Sequence, residues 1–228
     1  MSSDYRAAPF NPLPPMVTAL AAAMVLVELI FQAGARGLAG GPQAVGWRID
    51  ALNRFAFSPD LFERMAMTGQ WPLDQVARLV TYPFVHLDFT HVLFVVVFLL
   101  ALGKMVAEVF HPAAFLAVFF GSAISGALVY TLALDDPTAL IGGFPAVYGL
   151  IGAYTFLLWV GLGAMGENRM RAFTLIGFLL GIQLLFGLLF GASNQWVAEL
   201  AGFATGFGLS FVVSPGGWSR AVAKLRQR

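Results

Sequence analysis

Residues 141–154 read IGGFPAVYGLIGAY, two glycines and a Phe-Pro pair set inside otherwise apolar sequence. Gly142 and Gly143 permit a tight turn with positive φ. Pro145 suits the first turn of a helix, where its missing N–H is not needed. A helix is therefore predicted to open at about Phe144, and Gly149, Gly152 and Ala153 give it a bare face. If that opening lies below the membrane surface, its free N–H groups and the positive end of the helix dipole point into a polar pocket. Such a pocket suits an oxyanion or a nucleophile, yet the residue placed there, Phe144, has no nucleophile to offer.

The sequence around this stretch is that of a membrane protein. Of 228 residues 59% are hydrophobic and 11% charged, with a mean hydropathy of +0.79, too apolar for a soluble domain of this size. Residues 112–134, 139–166 and 172–198 contain no charge, and a span needs only about 20 such residues. They read as helices, because strands in lipid must close into a barrel and alternate polar with apolar residues. Six spans are predicted, at 15–34, 91–110, 113–134, 145–164, 172–191 and 195–213. The first is too long and too weakly preceded by basic residues for a signal peptide, so it is expected to be retained. The fold class expected is an all-α membrane protein forming one domain over residues 1–228.

Six spans place both termini on one side. The basic tail 214–228 carries Arg220, Lys224, Arg226 and Arg228 without an acid, and Arg6, Lys104, Arg169 and Arg171 fall on the same side. That side is expected to be cytoplasmic, in a bacterial inner membrane. The long loop 35–88 then lies outside. It sets Leu52, Phe55, Leu61, Phe62, Met65 and Met67 among charges, and spaces Val76, Leu79 and Val80 as a helix does. Short amphipathic helices in the interface fit both patterns. Such a loop either meets lipids and partner helices or simply packs as a lid.

Polar groups at membrane depth need a reason, since a charged acid at mid-span costs roughly 2.5–3.5 kcal/mol on insertion scales. Glu28 lies deep in span one, where a packing hydrogen bond and a functional role are both open. Glu199 lies near the outer end of span six, on a face where Ala198, Gly202 and Gly206 recur every fourth residue. That face and the bare face of span four are expected to pack closely. His86 and His91 flank the start of span two; five residues apart they diverge on a continuous helix, so no metal pair is expected. His111 reads as an interfacial residue. Cysteine is absent, which removes disulfides, thiolate metal sites and a thiol nucleophile. No metal and no cofactor are expected. Ser122 and Ser125 sit mid-span, where serine usually bonds helix to helix.

Taken together, these motifs resemble the rhomboid intramembrane serine proteases over roughly residues 70–212. That family opens a helix with G-x-S-G, followed by Tyr and Gly; here stand Gly142, Gly143, Phe144 and Pro145, then Tyr148, Gly149 and Gly152. Its last span carries A-H-x-x-G-x-x-x-G; here it is Ala198, Glu199, Gly202 and Gly206. Its second span opens with two histidines and an Asn four residues on; here His86 and His91 stand, with Val95 in the Asn place. Its first loop usually carries Trp-Arg; Ala77 and Arg78 take that place here. The resemblance implies a six-helix rhomboid-like bundle with a long structured first loop. Phe144 would stand for the nucleophile, Glu199 for its base and Val95 for one oxyanion donor, with His91 retained.

The implied function is that of a catalytically inactive member, a pseudoprotease. It would bind transmembrane helices of client proteins laterally, in trafficking, quality control or assembly. Membrane lipids and such clients are the expected partners, and no nucleic acid is. The competing reading is an intramembrane serine endopeptidase with rearranged catalytic residues. A third, a proton-linked transporter using Glu28 and Glu199, lacks any inverted-repeat signal or paired broken helices.

Overall fold

A computed structural model of the chain describes residues 12–190 and 193–216. Arg6 and the basic tail residues Arg220, Lys224, Arg226 and Arg228 lie outside the described residues. The helices run in chain order as α1 (Pro15–Ala35), α2 (Trp47–Phe55), α3 (Pro59–Thr68), α4 (Leu73–Val76), α5 (Arg78–Thr81), α6 (Phe89–Ala107), α7 (Pro112–Ala133), α8 (Phe144–Ala164), α9 (Thr174–Phe190) and α10 (Trp196–Val213). Among the described residues, five are long and apolar enough to cross a membrane: α1, α6, α7, α8 and α10. α9 is equally apolar but has 17 residues, about 26 Å of helix at 1.5 Å per residue, against a hydrocarbon thickness of about 30 Å.

Local sequence accounts for most helix ends. Proline occupies the first turn of α1, α3, α7 and α8, where it lends its fixed φ and gives up no intrahelical bond. Asp88 caps α6, its Oδ1 accepting from His91 N at 2.9 Å, and Ser58 Oγ accepts from Leu61 N at the start of α3. Gly69, at φ 68°, ends α3 in the left-handed region.

α8 is the centre of the bundle. From Pro145 to Ala153 it is buried all round, with α6, α7 and α10 packed about it. Apolar residues gain little by leaving lipid for other apolar residues, so helix association here rests on close packing. The backbones supply it. A Cβ added to Gly202 would overlap the Pro145 carbonyl and one on Gly206 the Gly149 carbonyl. α7 joins the same layer through Gly126, where a Cβ would sit 2.7 Å from the Ala198 carbonyl oxygen and 2.9 Å from Pro145 Cβ.

The connection between α1 and α6 holds α2 to α5 and is tied to the bundle at three places. Phe57 and Leu140 exchange backbone hydrogen bonds of 3.1 and 2.8 Å as one antiparallel bridge. Gly142 N donates to Tyr82 O at 3.0 Å, and the buried Tyr82 hydroxyl donates to Ala123 O of α7 at 2.7 Å. Phe57 is the apolar pin of this connection, its ring 5.8 Å from Phe62 and 6.3 Å from Tyr82. The turn before α8 is therefore held from the connection side as well as from within the bundle.

Candidate functional site

Three elements converge on the opening of α8. Gly142 has φ 85°, and a Cβ there would run into the His91 imidazole and lie 3.2 Å from His86 Cδ2. Glycine is thus required twice over, by the left-handed turn and by the rings above it. A Cβ on Gly143 would meet Val95 Cγ1 at 2.8 Å, Met24 Cε at 3.1 Å and the Pro83 oxygen at 3.3 Å. So α6 supplies His91 and Val95, α1 supplies Met24, and the connection supplies Pro83 and His86. Phe144 lays its ring parallel to that of His91, with centroids 5.2 Å apart and planes 15° apart.

The two histidines meet, contrary to the divergence expected of a continuous helix. Asp88 starts α6 after His86, so His86 approaches from extended backbone and its ring stands edge-on to His91 at 5.0 Å. Among the described residues the Nε2 atoms of both are buried without a hydrogen-bond partner. Among the described residues no cluster of three or more metal-ligating side chains is present.

His86 is placed by a residue that sequence reasoning missed. Arg48 Nη1 donates to the His86 carbonyl at 2.8 Å and to Glu28 Oε2 at 2.9 Å, while Arg48 Nη2 donates to Glu28 Oε1 at 2.7 Å. Gln32 Nε2 donates to the same Oε1 at 2.8 Å. The Phe31 ring lies under the guanidinium, 5.1 Å away. Glu28 is therefore the buried anchor of an ion pair across 20 residues, which accounts for its depth and leaves it ill suited to carry protons. A Trp-Arg pair does stand in this loop, at Trp47–Arg48, and Ala77–Arg78 is not one. Trp47 packs on two glycines, with its Cε3 2.9 Å from where a Gly34 Cβ would be and its ring overlapping any Cβ on Gly40. Arg78 instead donates to Ala56 O at 3.0 Å, bracing the connection.

Glu199 is 5% exposed on the glycine-lined face of α10. Among the described residues its carboxylate is bonded not to His91 or Tyr148 but to Gln183 of α9, whose Nε2 donates to Oε2 at 2.6 Å. Gln183 was also missed, having no local motif to mark it. The two mid-span serines are engaged in packing. Ser125 Oγ donates to Ser122 O at 3.2 Å, and Ser122 is pressed against Gly149 with its Oγ unpartnered. A serine nucleophile needs a base within hydrogen-bond reach, and among the described residues neither serine has one.

Burial, reinforced by His91 and Arg48, pushes His86 down from 6.5 to about 3, against the opposing pull of Glu28 and the Phe84 carbonyl. The unfolded chain therefore takes up this proton first, near 6.5, so the contribution to stability falls as pH drops from about 6.5 towards 3. Within that window this one group should cost the fold about 1.4 kcal/mol per pH unit. Unfolding followed in detergent between pH 7 and pH 5 should show this slope in the wild type and its loss in His86→Phe. Equal slopes would refute the assignment.

With this geometry described, comparison with known proteins becomes informative. The family model described as Rhomboid domain matches residues 73–216, which takes in both histidines, Val95, Phe144 and Glu199 but not Arg48. Rhomboid-like protease 1 of Toxoplasma gondii is 29% identical over 138 residues, 60% of this chain and 47% of that protein. Rhomboid-like protease 3 of the same organism is 30% identical over 136 residues, 59% of this chain and 51% of that protein. The chain thus spans about half the length of these curated relatives.

Proposed function

Because the chain belongs to the rhomboid family, we propose that this integral membrane protein is a proteolytically inactive member that binds transmembrane helices of other proteins. The observation that carries the reading is the Phe144–His91 stack. Acyl transfer needs an activated oxygen or sulfur beside a base and oxyanion donors. At the opening of α8 the nucleophile position holds an aromatic ring, the base position a carboxylate turned towards Gln183, and the neighbouring donor position the aliphatic Val95. What remains is the scaffold, with the His86 and His91 rings edge to face and Phe144 stacked on His91.

In this reading α9 is the fifth of six spans, the connection 36–88 lies on the outer face, and both termini are cytoplasmic in a bacterial inner membrane. Client helices pack laterally against α6 and α9, where Phe94 and Val97 of α6 and Phe178 and Leu185 of α9 are exposed. Such clients would be handled in trafficking, quality control or assembly.

Two measurements on the full chain test this. Purified wild-type protein should neither label with a fluorophosphonate probe nor cut a single-span reporter. Specific labelling would establish instead the rearranged endopeptidase, the reading that the relatives' names favour. A photocrosslinking residue at Phe144, in native membranes, should capture single-span proteins well above one placed at the exposed Leu132 of α7. Equal capture at the two positions would overturn client binding.

A further inference from the structure

A groove on the flank of α1 takes no part in the site. It encloses about 360 Å³ and is lined by Val27, Ile30 and Phe31 of α1, Ala51 and Phe55 of α2, and Val85 beside His86. Thr81 also borders it, but its hydroxyl donates to the Phe55 carbonyl at 3.2 Å, so the wall presents hydrocarbon. Phe31 lies four residues from the end of α1, about 6 Å along the axis. A wall without polar groups offers water no hydrogen-bond partners. A volume of about 360 Å³ is too small for a second helix, about 10–12 Å across with its side chains, but admits part of a single acyl chain.

Hydrocarbon alone does not select an occupant, since an acyl chain in the groove and one in the bilayer are in equally apolar surroundings. Selection must come from the head group. Arg54, exposed at the end of α2, holds its guanidinium 5.5 Å over the ring of Phe55. Stacking uses the face of the guanidinium and leaves its N–H edge for a phosphate. Among the described residues Arg54 has no ion-pair partner, although Asp50 stands one turn earlier on α2 and tempers the local charge.

We propose that the groove holds one acyl chain of a glycerophospholipid whose phosphate pairs with Arg54, with anionic head groups preferred. The chain would bear on Phe31, which supports the Arg48 guanidinium, and on Val85, which precedes His86. Lipid occupancy thereby props the ion pair that positions the histidine.

The test reconstitutes the full chain in phosphatidylcholine bilayers containing a trace of phosphatidylglycerol or phosphatidylcholine with a mid-chain diazirine, and maps adducts by mass spectrometry. Adducts should concentrate on Ile30, Phe31, Phe55 and Val85, severalfold over Leu132 of α7, a lipid-facing residue 82% exposed. The phosphatidylglycerol probe should label the groove about fivefold more than its phosphatidylcholine counterpart, the attraction of one arginine near the head-group plane. Arg54→Gln should equalise the two probes, and Ala51→Trp should fill the groove and abolish its adducts. Labelling no greater than at Leu132, or adducts unchanged in folded Ala51→Trp, would overturn the chain site. A probe preference that is absent in the wild type, or that survives Arg54→Gln, would overturn the phosphate pairing.

Discussion

Arg48→Met should destabilise the protein by about 3–5 kcal/mol, the range seen when one partner is removed from a buried ion pair. Glu28 is 3% exposed, so without the guanidinium its carboxylate keeps one hydrogen bond, from Gln32, and no compensating charge. The His86 carbonyl loses its donor at the same time. Glu28→Gln should cost less, about 1–3 kcal/mol, because Arg48 is 20% exposed and keeps the His86 carbonyl and access to water. The double substitution Glu28→Met with Arg48→Met should recover much of the loss, since apolar replacement of a buried pair is often nearly neutral. Unfolding free energies of the wild type, Arg48→Met, Glu28→Met and the double variant in one detergent close a double-mutant cycle. An Arg48→Met cost no larger than that of Glu28→Gln would show that the pair does not anchor the connection.

The parts of the fold that sequence makes legible are those written in local spacing. The Gly-Gly-Phe-Pro run marks the opening of α8 because a left-handed turn and a first-turn proline are properties of adjacent residues. Ala198, Gly202 and Gly206 display a bare helix face for the same reason. The features that were not legible are contacts across the chain. Arg48 reaches Glu28 over 20 residues and His86 over 38, and the Trp47–Arg48 pair that marks it stands well before the stretch where it was sought. The meeting of His86 and His91 depended on where α6 begins, which Asp88 decides by capping; a helix extended two residues further back would have turned the rings apart. Glu199 read as facing the site because its helix does, whereas its hydrogen bond goes to Gln183 of α9, a helix whose sequence is uniformly apolar around that residue.

Gly206→Leu should abolish the folded bundle, with a cost above the roughly 1–3 kcal/mol typical of overpacked cores. Those cores relax by moving side chains. Here a Cβ would lie 2.5 Å from the carbonyl carbon and 2.7 Å from the Cα of Gly149, and backbone inside a helix cannot swing aside, so α8 and α10 must part along their length. Gly208→Leu is the control: it lies two residues on in the same helix, and a Cβ there meets nothing within 4 Å. Circular dichroism and size-exclusion profiles of the two variants should differ between loss of folded protein and near-neutrality; similar behaviour would mean that the helices are not in backbone contact. Gly202→Ala probes the same contact closer to the site. Its methyl group would press on the Pro145 carbonyl, one residue past Phe144, so the first displacement falls on the ring stacked against His91.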